Sequence, residues 1–144
     1  MGNKALSNML TNNQQTEKVL RKILEKDKFQ INPERRHGEN GVDILAEKDN
    51  IVFHIEVIGF KISPPARSRD FYEVFFRAVS RIKDGAKKCV IALPSQWENG
   101  LPRRAEQYGE AWLRIGKAFP ELSIWLIDVK NEEYKELRWN KWLK

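Results

Sequence analysis

The chain has 144 residues, 41% hydrophobic and 32% charged, with five tryptophans and seven phenylalanines, enough for one domain around a sizeable core. Its formal charge of +6 favours polyanionic partners through counterion release, and no apolar run approaches the ~18 residues needed to cross a bilayer. The start, MGNKALSNML, lacks the regions of a secretory signal and has Leu6 where a myristoylation signal wants Ser or Thr, and the lone Cys89 excludes an intrachain disulfide. A soluble protein of the reducing cytoplasm, with Cys89 as a buried structural thiol, is therefore expected.

The first residues are polar, and residues 1–15 are expected to be a flexible segment ahead of a single α/β domain spanning 16–144. From Thr16, a candidate cap, Val19, Leu20, Ile23 and Leu24 recur at helical spacing until Lys28. Phe29 and Ile31 form a short strand, interrupted at Pro33, and ERRHGENG reads as a turn or loop. Val42–Glu47 and Ile51–Phe60 are two strands, and the tight turn Lys48-Asp49-Asn50 joins them as a hairpin. Ser63–Arg69, with two adjacent prolines, is expected to be a loop.

Phe71, Val74, Phe75, Ala78, Val79 and Ile82 then trace one face of an amphipathic helix. Val90–Leu93 is a continuous apolar run of the kind buried on both faces of a parallel sheet. Pro102 suits the first turn of a helix whose inner face carries Ala105, Tyr108, Trp112 and Ile115. Leu122–Val129 is a last buried strand, and Tyr134, Leu137, Trp139 and Trp142 pack back on the body. The order α-β-β-β-α-β-α-β predicts a central mixed sheet, hairpin plus β-α-β crossovers, flanked by helices.

Asp43 stands early in the second strand and Glu56 in the middle of the third. Paired across the hairpin, they put two carboxylates on one side of the sheet. Such a pair suits Mg²⁺, or Mn²⁺ in its place, a hard cation that activates water at a phosphodiester. Alternation puts His54, Glu56, Ile58 and Phe60 on one face and Phe53, Ile55, Val57 and Gly59 on the other. A carboxylate in a central strand needs a partner, since burying it alone is costly.

The segments Gly41-Val42-Asp43-Ile44 and Ile55-Glu56-Val57-Ile58-Gly59 resemble the paired acidic motif of the PD-(D/E)XK nucleases, in which an aspartate precedes an E-x-K triplet across a hairpin. The resemblance implies a restriction endonuclease-like fold and metal-dependent hydrolysis of DNA, with Asp43 and Glu56 as metal ligands. It extends to archaeal-type Holliday junction resolvases and Mrr-like nucleases, which implies a role for Glu17 on the first helix. Arg77 stands where Mrr-like members often carry glutamine.

Ile58 replaces the lysine of E-x-K. Lys61, turned by a bulge at Gly59, is the first candidate for a relocated cation, and Arg77 is the second. His54 is a candidate proton-transfer group on the same face.

Three functions follow as expectations. The first is a nuclease acting through Asp43, Glu56, Lys61 and Glu17. The second is a catalytically inactive module of the same fold that grips nucleic acid through the basic positions Arg35, Arg36, Arg67, Arg69 and Arg77, with Arg103 and Arg104 in further loops and Trp97 as a base-stacking candidate. The third is a regulatory subunit docking on a protein through an exposed Trp139/Trp142 patch. DNA is the expected partner, and a homodimer is compatible with any of the three. Exposed carboxylates in a basic-rimmed cleft favour the nuclease, and carboxylates held by arginines favour the inactive module.

Overall fold

The computed structural model describes residues 11–33 and 41–143. The expected positions Arg35, Arg36 and His37 lie outside the described residues. Helix α1 spans Asn13–Lys26 and is followed by β1 (Gln30–Ile31), β2 (Ile44–Lys48), β3 (Ile51–Val57) and α2 (Pro64–Ser80). Then come β4 (Cys89–Pro94), α3 (Leu101–Tyr108), α4 (Glu110–Ala118), β5 (Leu122–Asp128) and β6 (Glu133–Arg138), with 3₁₀ turns at Arg81–Asp84 and Ser95–Asn99. Among the described residues, no helix is long and apolar enough to cross a membrane.

The six strands form one mixed sheet in the order β1-β2-β3-β4-β5-β6. The β3–β4 and β4–β5 pairs are parallel and the others antiparallel. The β2–β3 hairpin closes through Asp49 and Asn50, both at positive φ (55° and 66°), the backbone that a two-residue turn requires. Its ladder pairs Ile44 with Ile55 and runs to Lys48 opposite Ile51.

Helix α1 covers one face of the sheet. Leu20, Ile23 and Leu24 meet Ile44, Ile55, Val57, Val90 and Trp125 there in a buried cluster. Helices α2, α3 and α4 cover the other face over Ile58, Ile91, Leu93, Ile124 and Leu126. Central strand β4 is buried along its whole length, as its unbroken apolar run requires.

Several boundaries differ from the sequence reading. The cap of α1 is Asn12, whose side chain accepts from the Gln15 amide while the Gln15 side chain accepts from the Asn12 amide, a complete capping box. Thr16 is instead buried within the helix, where its hydroxyl donates to the Asn12 carbonyl. Thr11 is buried and bridges to Phe60, and the helix begins at Asn13, ahead of Thr16.

Ser63–Arg69 is not a loop. Ser63 caps α2, and both prolines fall in its first turn, where a missing N–H costs nothing. The expected single helix from Pro102 to Ile115 is two, divided at Gly109, whose φ of 51° and ψ of −117° suit glycine alone.

The C-terminal stretch packs back by adding strand β6 to the edge beside β5. Glu133, Lys135, Glu136 and Arg138 of β6 are exposed, and Leu137 is buried. Just beyond it, Trp139 and Trp112 of α4 hold one another. Trp112 Nε1 donates to the Trp139 carbonyl at 2.6 Å, and Trp139 Nε1 donates to the Trp112 carbonyl at 2.8 Å. The two rings stack at 3.9 Å, with Phe71 stacked near both. Both tryptophans are buried, so the expected exposed patch is absent; Trp142, half-buried, leans on Trp112.

Candidate functional site

The hairpin register fixes where the acidic residues go. Ile44 pairs with Ile55 and faces α1, so Asp43, one step earlier, lies opposite Glu56 and turns toward α2. A side-chain hydrogen bond joins the two carboxyls. Asp43 Oδ2 also accepts from the Val57 amide at 2.9 Å, which ties the start of β2 to the end of β3. The sequence-predicted pair is thus brought together on one face.

Its surroundings differ from those of an open metal site. Glu56 is 1% exposed. Arg81, at the foot of α2, donates from Nε to Glu56 Oε1 at 2.9 Å, and Arg77 Nε lies 3.9 Å from Oε2. Arg81 is itself steadied by Asp84 at 3.2 Å, and Arg77 by Glu73 at 3.8 Å. Burial, and next the negative charge of Asp43, push the Glu56 carboxyl up to about 7 against the pull of Arg81. Burial and the neighbouring Asp43 charge thus favour a Glu56 that holds its proton.

Ile58, at the position of the motif lysine, is buried in the core beneath α2. Lys61 does not reach the pair: its Nζ binds Asp70 at 3.1 Å, with the lysine side chain 58% exposed. The cations at Glu56 are Arg81, which the sequence reading missed, and Arg77, which it ranked second. Arg81 was hidden because its contact depends on α2 continuing into the 3₁₀ turn over β3.

Gly59 serves a purpose other than a bulge that redirects Lys61. A Cβ there would stand 2.1 Å from the Thr11 carbonyl oxygen, where the chain entering α1 crosses and the Phe60 amide donates to that same oxygen. Gly59→Ala must push this crossing apart, and a loss of about 1–3 kcal/mol in urea unfolding is expected. An unchanged midpoint would show that the crossing yields freely.

Glu17 pairs with Arg21 at 2.8 Å, and Arg21 in turn donates to the carbonyls of Asn32 and Asp43. The expected helper carboxylate therefore meets Asp43 only through an arginine and at its backbone. Burial lowers the pKa of His54, and its Nδ1 makes no hydrogen bond among the described residues. Its electrostatic neighbours are Asp84 and Arg81.

Mg²⁺ prefers several oxygen ligands with room for water. Among the described residues no group of three or more His, Cys, Asp or Glu side chains converges, and the two carboxyls that do are committed to each other, to a backbone amide and to Arg81. The donor set among the described residues does not fit the ion.

The basic residues fall into two kinds. Arg67 stacks on Phe60 at 4.5 Å and donates to the Lys61 and Ile62 carbonyls, and Arg104 donates to Ser68 and lies 5.3 Å from the Phe71 and Trp97 rings. These two staple the fold. Arg69 and Arg103 are exposed on helices, and Arg77 is 37% exposed with an Nε that makes no hydrogen bond among the described residues. Trp97 is buried and donates to the Gly59 carbonyl at 2.9 Å, so it stacks on no base.

No family model matches the chain, and none of the curated proteins does. Solved structures do. An XisH family protein from Nostoc punctiforme superposes with a TM-score of 0.55 at 19% identity, covering 84% of this chain and 96% of that one. An fdxN element excision controlling factor protein from Anabaena variabilis gives 0.57 at 18% identity, covering 85% and 96%. The likeness is one of fold. It supports the α/β architecture, a single mixed sheet flanked by helices, over the matched part of the chain.

Proposed function

We propose that this chain is a nuclease-fold module that binds nucleic acid without hydrolysing it. The observation that carries this reading is the state of Glu56: buried, hydrogen-bonded to Asp43 and held by Arg81, with Ile58 where a catalytic lysine would stand. A nuclease needs a metal and a lysine over the scissile phosphate to supply positive charge. Here two guanidiniums stand over the carboxyl pair, and they supply charge but no activated water. Arg77, whose head is partly exposed beside the carboxyl pair, is the group best placed to receive a backbone phosphate. The structural neighbour described as controlling excision of an element is compatible with a protein that acts on DNA without cutting it.

The test is a cleavage and binding series on the folded protein. Wild type is expected to leave duplex, branched and single-stranded DNA intact with either Mg²⁺ or Mn²⁺. Binding is expected to be indifferent to chelator and to weaken with salt by about 0.7–0.9 log units per phosphate contact per log unit of salt. Arg69→Ala together with Arg77→Ala should flatten that slope. Metal-dependent cleavage that Glu56→Gln abolishes would overturn the proposal in favour of an active enzyme. Absence of binding at low salt would remove nucleic acid as its ligand.

A further inference from the structure

The outward face of α2 carries two large aromatic side chains that the core does not use. Phe76 is 70% exposed and Tyr72 is 46% exposed. They border an apolar groove of about 210 Å³ between α2 and the α3–α4 corner, floored by Phe75, Tyr108, Ala111 and Ile115. The rings are held in place: the Tyr72 and Tyr108 hydroxyls hydrogen-bond to each other, and Phe76 meets Phe75 edge-on at 5.5 Å. Arg69 precedes Tyr72 by one turn, Arg77 follows it, and Lys83 is exposed beyond the helix end. Glu73, the carboxylate within the stripe, is met by Arg77, and Glu110 across the groove is met by Arg114 at 3.1 Å.

We infer that this face of α2 is a stacking platform for the unpaired bases of a single-stranded nucleic acid, with Tyr72 and Phe76 taking bases and Arg69 and Arg77 taking phosphates. The inference rests on the nucleic-acid reading above and adds to it the form of the strand. Four residues of helix separate the two rings by about 6 Å along the axis. Successive bases in a stacked strand are ~3.4 Å apart. Neighbouring nucleotides can occupy both rings only in an extended, unstacked strand, and in a duplex the base faces are hidden. The flanking cations match the backbone charge of such a strand, and rings fixed in advance lose little entropy on binding.

The experiment measures fluorescence anisotropy of a labelled oligo-dT and of a hairpin duplex of equal length, with wild type, Phe76→Ala, Tyr72→Leu and Arg69→Ala. All three positions are on the helix surface, and thermal melting by circular dichroism confirms that each variant folds. Wild type should bind oligo-dT more tightly than the duplex. Phe76→Ala should weaken oligo-dT binding by roughly 5–100-fold, the range of one lost stacked base, with an unchanged salt slope. Arg69→Ala should reduce the slope by about 0.7. Equal affinity for both probes and no effect of Phe76→Ala would overturn the inference and leave the nucleic-acid reading standing. Absence of binding to either probe would remove both. A concentration-dependent dimer in sedimentation, dissolved by Phe76→Ala, would assign the face to a second copy and overturn the inference as well.

Discussion

Trp139→Ala is expected to lower the unfolding free energy by about 3–5 kcal/mol, the range for deleting a large buried aromatic. The ring is stacked on Trp112 at 3.9 Å and packed against Phe71 and Phe75, so its removal leaves a cavity between α2, α4 and the end of the sheet. It also strips the Trp112 carbonyl of its indole donor. Trp139→Phe keeps an aromatic ring in the stack, losing the N–H and part of the indole, and should cost clearly less. Urea unfolding followed by circular dichroism separates the two. Equal losses for both variants would show that the Trp139 N–H bond to the Trp112 carbonyl, with the outer part of the indole, matters more than the remaining ring packing. Gly116 belongs to the same arrangement, since a Cβ there would lie 3.1 Å from Trp139 Cδ1.

The second large effect is a dependence on pH. The folded state keeps a proton on Glu56 up to about pH 7, whereas the unfolded chain gives it up near the ordinary value of 4.5. Between those values the folded protein binds more protons than the unfolded one. The stabilisation this group contributes is therefore complete below about pH 4.5 and is lost as pH rises through 7. The full swing is on the order of 3 kcal/mol. Other carboxylates tilt the whole curve, so the measurement is the stability of wild type minus that of Glu56→Gln, from about pH 4 to about pH 8. That difference should shrink steadily as pH rises. A difference that grew with pH would mean an ionised Glu56 bound by Arg81, and the protonated Glu56 would be wrong.

The acidic pair was legible because a hairpin with a two-residue turn has one register, and alternation does the rest. Asp43 and Glu56 could be placed on one face from spacing alone. The partners were not legible by that rule. Arg81 reaches Glu56 from another element, and its contact depends on how α2 crosses β3. Lys61 was the nearest cation in sequence, yet Asp70, one helical approach away, takes it.

Ser63-Pro64-Pro65 is readable as a helix start, a cap followed by two residues that tolerate the first turn, although two adjacent prolines also suit a loop. Strand β6 gave little signal because Glu133, Lys135, Glu136 and Arg138 face solvent and only Leu137 is buried. The mixed sheet, by contrast, followed from a hairpin succeeded by apolar runs separated by helices.

That charged sixth strand has a bearing on how copies of the protein can meet. A sheet margin with free amides and carbonyls invites another chain to zip on and extend it. Here one margin, β6, intersperses glutamates with lysine and arginine. A second copy laid antiparallel alongside would set Glu133 against Arg138 and Lys135 against Glu136 in one register, and like charges face to face in the registers one step to either side. The other margin among the described strands is only two residues long, too short to template a partner. Sheet extension through the β6 margin is therefore selective for register rather than open to any strand.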